Sequence, residues 1–227
     1  MRVDLSLDRE KSALLIVDLQ EDQRSDPLCV ADNLDRVLVN TAGLLGAARA
    51  NAVKVYHAAF VRDFDARPPR PFEPLAADGG PAFSRRQSAL VAICHEVAPL
   101  SDEVVIHKND ASAFEEGSLA DRLRALDVEW LVIAGVWTEA CIAASVRDAM
   151  AAGFRVLLVK DACTSGTRAM HQTGVLNLAN RLYGGAICDT GRAMALLSGA
   201  PANVWRNDRP VPFRFGLADV EAMYGSL

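Results

Sequence analysis

Apolar and polar positions along the chain follow two patterns. The first is a set of short, nearly continuous apolar runs. Residues 12–20, SALLIVDLQ, form a run that ends abruptly in an acid. It is too short for a helix core and reads as a buried strand of a parallel sheet. Residues 53–60 (VKVYHAAF), 103–108 (EVVIHK), 129–135 (EWLVIAG), 154–162 (FRVLLVKDA) and 185–189 (GAICD) predict five more strands. The second pattern has a helical period. Between residues 31 and 51, Leu34, Val37, Leu38, Ala42, Leu45 and Ala48 share one face, and Asn51 supplies a stop. Further helices are predicted over 119–127, over 138–153 with Gly153 as the C-terminal stop, over 167–182 and from 190 onward.

Strand and helix alternate, which predicts an α/β chain: a three-layer α/β/α, Rossmann-like arrangement with a six-stranded parallel sheet covered on both faces. Its crossovers should be right-handed. Residues 1–198 form the expected domain. Residues 199–227 form a C-terminal extension whose Trp205, Phe213, Phe215 and Tyr224 are too many aromatics for a free tail. The extension should pack on the domain or on a neighbouring subunit. The stretch 62–82 breaks the alternation with five prolines, two glycines, three arginines and four acids. It reads as a long loop or lid over a functional surface.

Composition narrows the function classes. The chain has 227 residues, 51% of them hydrophobic, and a net charge of -5. Nucleic-acid binding wants a clustered basic surface, which this balance argues against. No apolar run reaches the roughly 18 residues of a membrane span. The start, MRVDLSLDREK, lacks the apolar core of a signal peptide. A soluble cytoplasmic protein is therefore expected, with no membrane and no nucleic-acid partner. The five cysteines are odd in number and widely spaced, so no disulfide framework is predicted. No C-x-x-C or H-x-x-x-H pair occurs, and neither a metal site nor a cofactor is expected.

In an open parallel sheet, ligands sit beyond the carboxyl ends of the strands. Asp18 closes the first strand, Lys108 closes the third, and Cys141 opens the helix after the fourth. Their chemistry is coherent. A helix N-terminus and a nearby cation lower a thiol pKa, a carboxylate can take the thiol proton and later activate water, and a lysine can hold both. Backbone N–H groups in the GVWTEAC turn could bind an oxyanion.

Three stretches, ALLIVDLQ, VIHKNDASAF and VIAGVWTEACIAASVRDAMAAGFRVLLVKDAC, resemble the signature blocks of the isochorismatase-like cysteine hydrolases. The resemblance covers roughly residues 10–198. It implies a catalytic triad of Asp18, Lys108 and Cys141, a cis peptide at Val136–Trp137, and an oxyanion hole made by the N–H groups of Trp137 and Cys141. It also implies strand order 3-2-1-4-5-6. Family members that cleave vinyl ethers lack the cysteine, so Cys141 favours C–N hydrolysis through a thioester. No histidine follows His57 in the stretch where nicotinamidases bind metal, although Asp63 and Asp65 are present. Gln23 stands where the family usually has an aromatic, which makes one pocket wall more polar.

Candidate substrate-binding residues are Gln20, two residues past Asp18; Phe114, in SAF; Trp137; and Arg70. Arg70, with Arg62 and Arg67, could hold a substrate carboxylate. Arg85 and Arg86 could serve likewise or lie on the surface. His171 could approach the rim or be structural, and Glu139 should support the helix start. The expected function is a cysteine amidohydrolase for a small linear amide or ureide, carbamoyl-, biuret- or maleamate-like, releasing ammonia or an amine. The alternatives are an ether hydrolase or a silent binding subunit. The resemblance also implies a homodimer or homotetramer.

Overall fold

The computed structural model describes residues 1–115 and 117–227. Eight strands form one sheet: β1 (Arg2–Leu5), β2 (Ser12–Val17), β3 (Lys54–Phe60), β4 (Val104–Lys108), β5 (Trp130–Gly135), β6 (Arg155–Cys163), β7 (Ala186–Cys188) and β8 (Ala202–Trp205). Their order is β1-β8-β7-β6-β5-β2-β3-β4. The six parallel strands from β4 to β7 lie in the expected order. The expected count of six is corrected to eight, because β1 and β8 add an antiparallel pair beyond β7.

The period of two decides which helices cover which face. In β2, Leu14 and Ile16 belong to one core, while Ala13, Leu15 and Val17 belong to the other; β5 divides in the same way, with Val132 and Ala134 opposite Leu131 and Ile133. The first core is closed by α2 (Leu34–Ala50) and α6 (Thr190–Leu197). Packed on the opposite face are α3 (Ser118–Ala125), α4 (Ala143–Ala151), α5 (Arg168–Ala179) and α7 (Val220–Ser226). A single short turn, α1 (Asp22–Ser25), follows β2. Among the described residues, no helix is long and apolar enough to cross a membrane.

The segment after Gly199 packs on its own chain. Trp205 sits in β8 and stacks obliquely on Phe213 at 5.4 Å, and Phe215 and Tyr224 rest against the core under α5. Trp205 is buried there, and Phe213, Phe215 and Tyr224 are partly buried.

Candidate active site

Asp18 is the first residue past β2, in the left-handed region at φ 54°, which turns its side chain onto the carboxyl rim of the sheet. Its N–H still donates to the Ala58 carbonyl of β3. Lys108 is the last residue of β4, two strands away, in register with Phe60 of the intervening β3. Two strand spacings are about 10 Å, a span that an extended lysine and the aspartate side chain bridge between them. The ammonium passes over the Phe60 ring, 5.0 Å from its centre, and reaches Asp18 Oδ2 at 2.8 Å. It also donates to the Asp110 carbonyl at 3.1 Å. Both charged groups are almost wholly withdrawn from solvent. The Lys108 contact is a close charge pair, and the Cys141 side chain faces the same carboxylate.

Cys141 arrives from β5, the other neighbour of β2. Gly135 ends that strand at φ 128°, and a Cβ there would lie 2.0 Å from the Val17 carbonyl oxygen, so only glycine lets the two backbones come this close. The Val136–Trp137 peptide is cis, as the resemblance implies. The turn Thr138–Ile142 that follows is of π type, with Ile142 N–H donating five residues back to the Trp137 carbonyl at 3.1 Å. Such turns recur at functional sites.

The π turn is pinned from outside. Thr138 donates through both its N–H and its hydroxyl to the Thr164 carbonyl, at 2.9 Å each, and Glu139 accepts from the Ser165 hydroxyl at 2.6 Å. Because the Thr138 hydroxyl is a donor there, it accepts from His171 Nδ1 at 2.8 Å, which leaves Nε2 to accept from the Tyr224 hydroxyl at 3.0 Å. His171 is thus a structural link between the π turn and α7, held neutral by burial with its pKa pushed down to about 4.

The thiol of Cys141 faces Asp18 and Lys108. Of the five cysteines it alone is partly exposed; the other four are buried. The expectation of a lowered thiol pKa is corrected. Burial, reinforced by the Asp18 charge, pushes the Cys141 thiol up to about 12 against the opposing pull of Lys108. Burial likewise raises Asp18, although Lys108 pulls it down. Lys108 is raised despite burial, because Asp18 and Cys141 both favour its charge. The resting set is therefore a thiol, a carboxylate of enhanced basicity and an ammonium. Among the described residues, the N–H groups of Trp137 and Cys141 donate to no side chain and to no backbone outside the helical turn.

These groups open into a cavity of about 630 Å³, lined by Asp18, Cys141, Trp137 and the lid. Trp137 and Arg70 do line it, but two other candidates do not. Gln20 is fully buried, and its amide brackets the backbone instead: Nε2 donates to the carbonyls of Phe60 and Val91, and Oε1 accepts from Phe60 N–H. Phe114 points into the core against Phe154, with ring centres 6.2 Å apart. Gln23, noted for its departure from an aromatic, is a wall residue whose Oε1 accepts the Trp137 indole N–H at 2.7 Å.

The lid arginines hold the protein's own acids. Arg62 forks onto Glu73 at 2.5 and 2.7 Å, and this holds the Glu73 carboxyl down to about 2 against a burial effect that would raise it. Arg70 pairs with Asp110 at 2.8 Å, Arg67 with Asp110 and Glu115, Arg85 with Asp78, and Arg86 with Asp63 at 2.5 Å. His57 bonds Glu103 at 3.0 Å from within the core. Phe60, Phe83, Phe72, Leu28, Ser84 and Asp110 also line the cavity and were not singled out in the sequence.

The isochorismatase domain model matches residues 12–191. The chain belongs to the isochorismatase family. This isochorismatase-family protein is 32% identical over 187 residues to a maleamate amidohydrolase of Pseudomonas putida, across 78% of this chain and 83% of that one. It is 28% identical over 159 residues to an N-carbamoylsarcosine amidase of an Arthrobacter species, spanning 65% of this chain but only 57% of that relative. An isochorismatase family protein from Desulfovibrio vulgaris superposes with a TM-score of 0.73 at 26% identity, covering 83% of this chain and 98% of that one.

Proposed function

We propose that the protein is a cysteine amidohydrolase that cleaves the C–N bond of a small linear amide or ureide through a thioester on Cys141. That it is a hydrolase acting on carbon–nitrogen bonds follows from its family and from the amidohydrolases among its relatives. The observation that carries the finer reading is the partly exposed thiol of Cys141, which opens to the cavity beside the buried Asp18–Lys108 pair.

As substrate binds, the Cys141 proton passes to Asp18 while sulfur bonds to the carbonyl carbon. Lys108 stays charged and offsets the negative charge that moves between carboxylate and sulfur. The carbonyl oxygen takes up charge facing the N–H groups of Trp137 and Cys141. Asp18 returns its proton to the departing nitrogen, and the C–N bond breaks to leave the thioester. Water then gives a proton to Asp18 and bonds to the acyl carbon. The C–S bond breaks, sulfur recovers the proton, and the carboxylic acid leaves.

The test is ammonia or amine release over a panel of small amides and ureides. Cys141→Ala should abolish turnover without shifting the thermal unfolding midpoint by more than a few degrees. Retained turnover in that variant would defeat the reading.

A further inference from the structure

We infer that the acyl group this site accepts is uncharged and apolar, not the carboxylate-bearing acyl group of an acid amide. The inference rests on the amidohydrolase reading above and specifies its substrate class. Among the described residues, four charged ones line the cavity, three of them acids: Asp18, Glu73 and Asp110 face a single cation, Arg70. Each acid already has a partner. Asp18 holds Lys108 at 2.8 Å, Glu73 holds Arg62 and also accepts the Arg70 N–H at 2.9 Å, and Asp110 holds Arg70 at 2.8 Å and Arg67 at 3.6 Å. Arg70, the one cation among the described wall residues, is thus paired with Asp110. A substrate carboxylate would meet no described wall cation that lacks an acidic partner, and would have to share Arg70 with Asp110. An anion that leaves water for such a wall finds no unpaired counter-charge to replace its hydration. A cationic substrate fares no better, because each acid is neutralised by its own partner.

The rest of the wall is built for apolar contact. It includes Leu28, Phe60, Phe72, Phe83, Val136 and Trp137. Phe60 and Phe83 stack with ring centres 5.8 Å apart. The Trp137 N–H is already donated to Gln23, so the indole offers a ligand its faces and not its polar handle. Leu28 and Phe72 remain largely exposed at the cavity, where a bound apolar acyl group would remove them from water. The volume of about 630 Å³ falls within the range of pockets that enclose drug-sized ligands, about 300–1,000 Å³, and is generous for a four-carbon acid amide. Selectivity would come from withholding a free cation as much as from apolar contact.

The experiment compares kcat/KM, by ammonia release, for 3-phenylpropanamide and hexanamide against maleamate and succinamate. The neutral amides are expected to lead by tenfold or more. Acid amides that equal or exceed them would overturn the inference while leaving the amidohydrolase reading intact. Silence across the whole panel would sink that reading and this inference together. As a second readout, Asp110→Asn removes the charge that neutralises Arg70 while keeping the Oδ1 that accepts the Ala111 N–H. The preference for neutral over acid amides should fall by about tenfold in this variant; an unchanged preference in a folded variant would contradict the role given to the Arg70–Asp110 pair.

Discussion

Replacing Asp18 by asparagine probes the centre of the site, because it removes one charge of a pair and keeps its shape. Lys108 Nζ lies 2.8 Å from Asp18 Oδ2, and the two side chains are only 1% and 4% exposed. The variant leaves the ammonium buried without a counter-charge, with only neutral oxygens, the new amide and the Asp110 carbonyl at 3.1 Å, in reach. Breaking a buried pair from one side typically costs about 3–5 kcal/mol, because the surviving charge has lost its compensation. For a chain of this size that is a drop of roughly 6–20 °C in unfolding midpoint. Turnover should fall by about 10²–10⁴-fold, the usual contribution of a positioned acid–base group. Adding Lys108→Met removes the stranded charge, so the double variant should regain about 2 kcal/mol without regaining activity. Urea unfolding monitored by circular dichroism, alongside ammonia release, reads both effects. An Asp18→Asn protein with the wild-type denaturation midpoint, or a double variant less stable than the single one, would refute the reasoning.

Gly135→Ala should yield little folded protein in expression and melting assays, because its Cβ would meet the Val17 carbonyl at 2.0 Å and φ is 128°. Gly166→Ala should be milder, since its Cβ would meet the Trp137 side chain at 2.8 Å and not backbone. Glu103 resists the burial that would raise its pKa: Arg49, the Leu100 N–H and His57 hold its carboxyl down to about 2, below its ordinary 4.5. The stability this gives is therefore complete above pH 4.5 and lost as pH falls toward 2. Glu103→Gln should flatten that part of the stability–pH profile by about 2–3 kcal/mol. Tyr224→Phe removes the hydroxyl that donates to His171, and should lower the unfolding free energy by about 1 kcal/mol as measured by denaturant titration.

The six parallel strands were legible because the two faces of the sheet are written as alternate apolar residues, as in Ala13, Leu15 and Val17 against Leu14 and Ile16. The edge pair escaped notice because β1 and β8 are four residues each, and β1 alternates exposed with half-buried positions without a buried run. Asp18, Lys108 and Cys141 could be placed on one rim because strand ends converge there, and the resemblance supplied their roles. Gln20 and Phe114 could not be oriented, since side-chain direction past a strand end depends on turns such as the left-handed one at Asp18. The lid arginines were ambiguous for the same reason, as their acids come from sequence positions up to 48 residues away. The thiol pKa went the other way because burial and the Asp18 charge outweigh the pull of Lys108.

The central claim is that Cys141 carries the acyl group. Rapid acid quench of turnover with a slow amide, followed by digestion and peptide mass spectrometry, tests it most directly. The account predicts an acyl mass increment on the peptide containing Cys141, released by hydroxylamine and absent from Cys29, Cys94, Cys163 and Cys188. Steady turnover with no adduct on Cys141, or an adduct on another residue that chases into product, would contradict it.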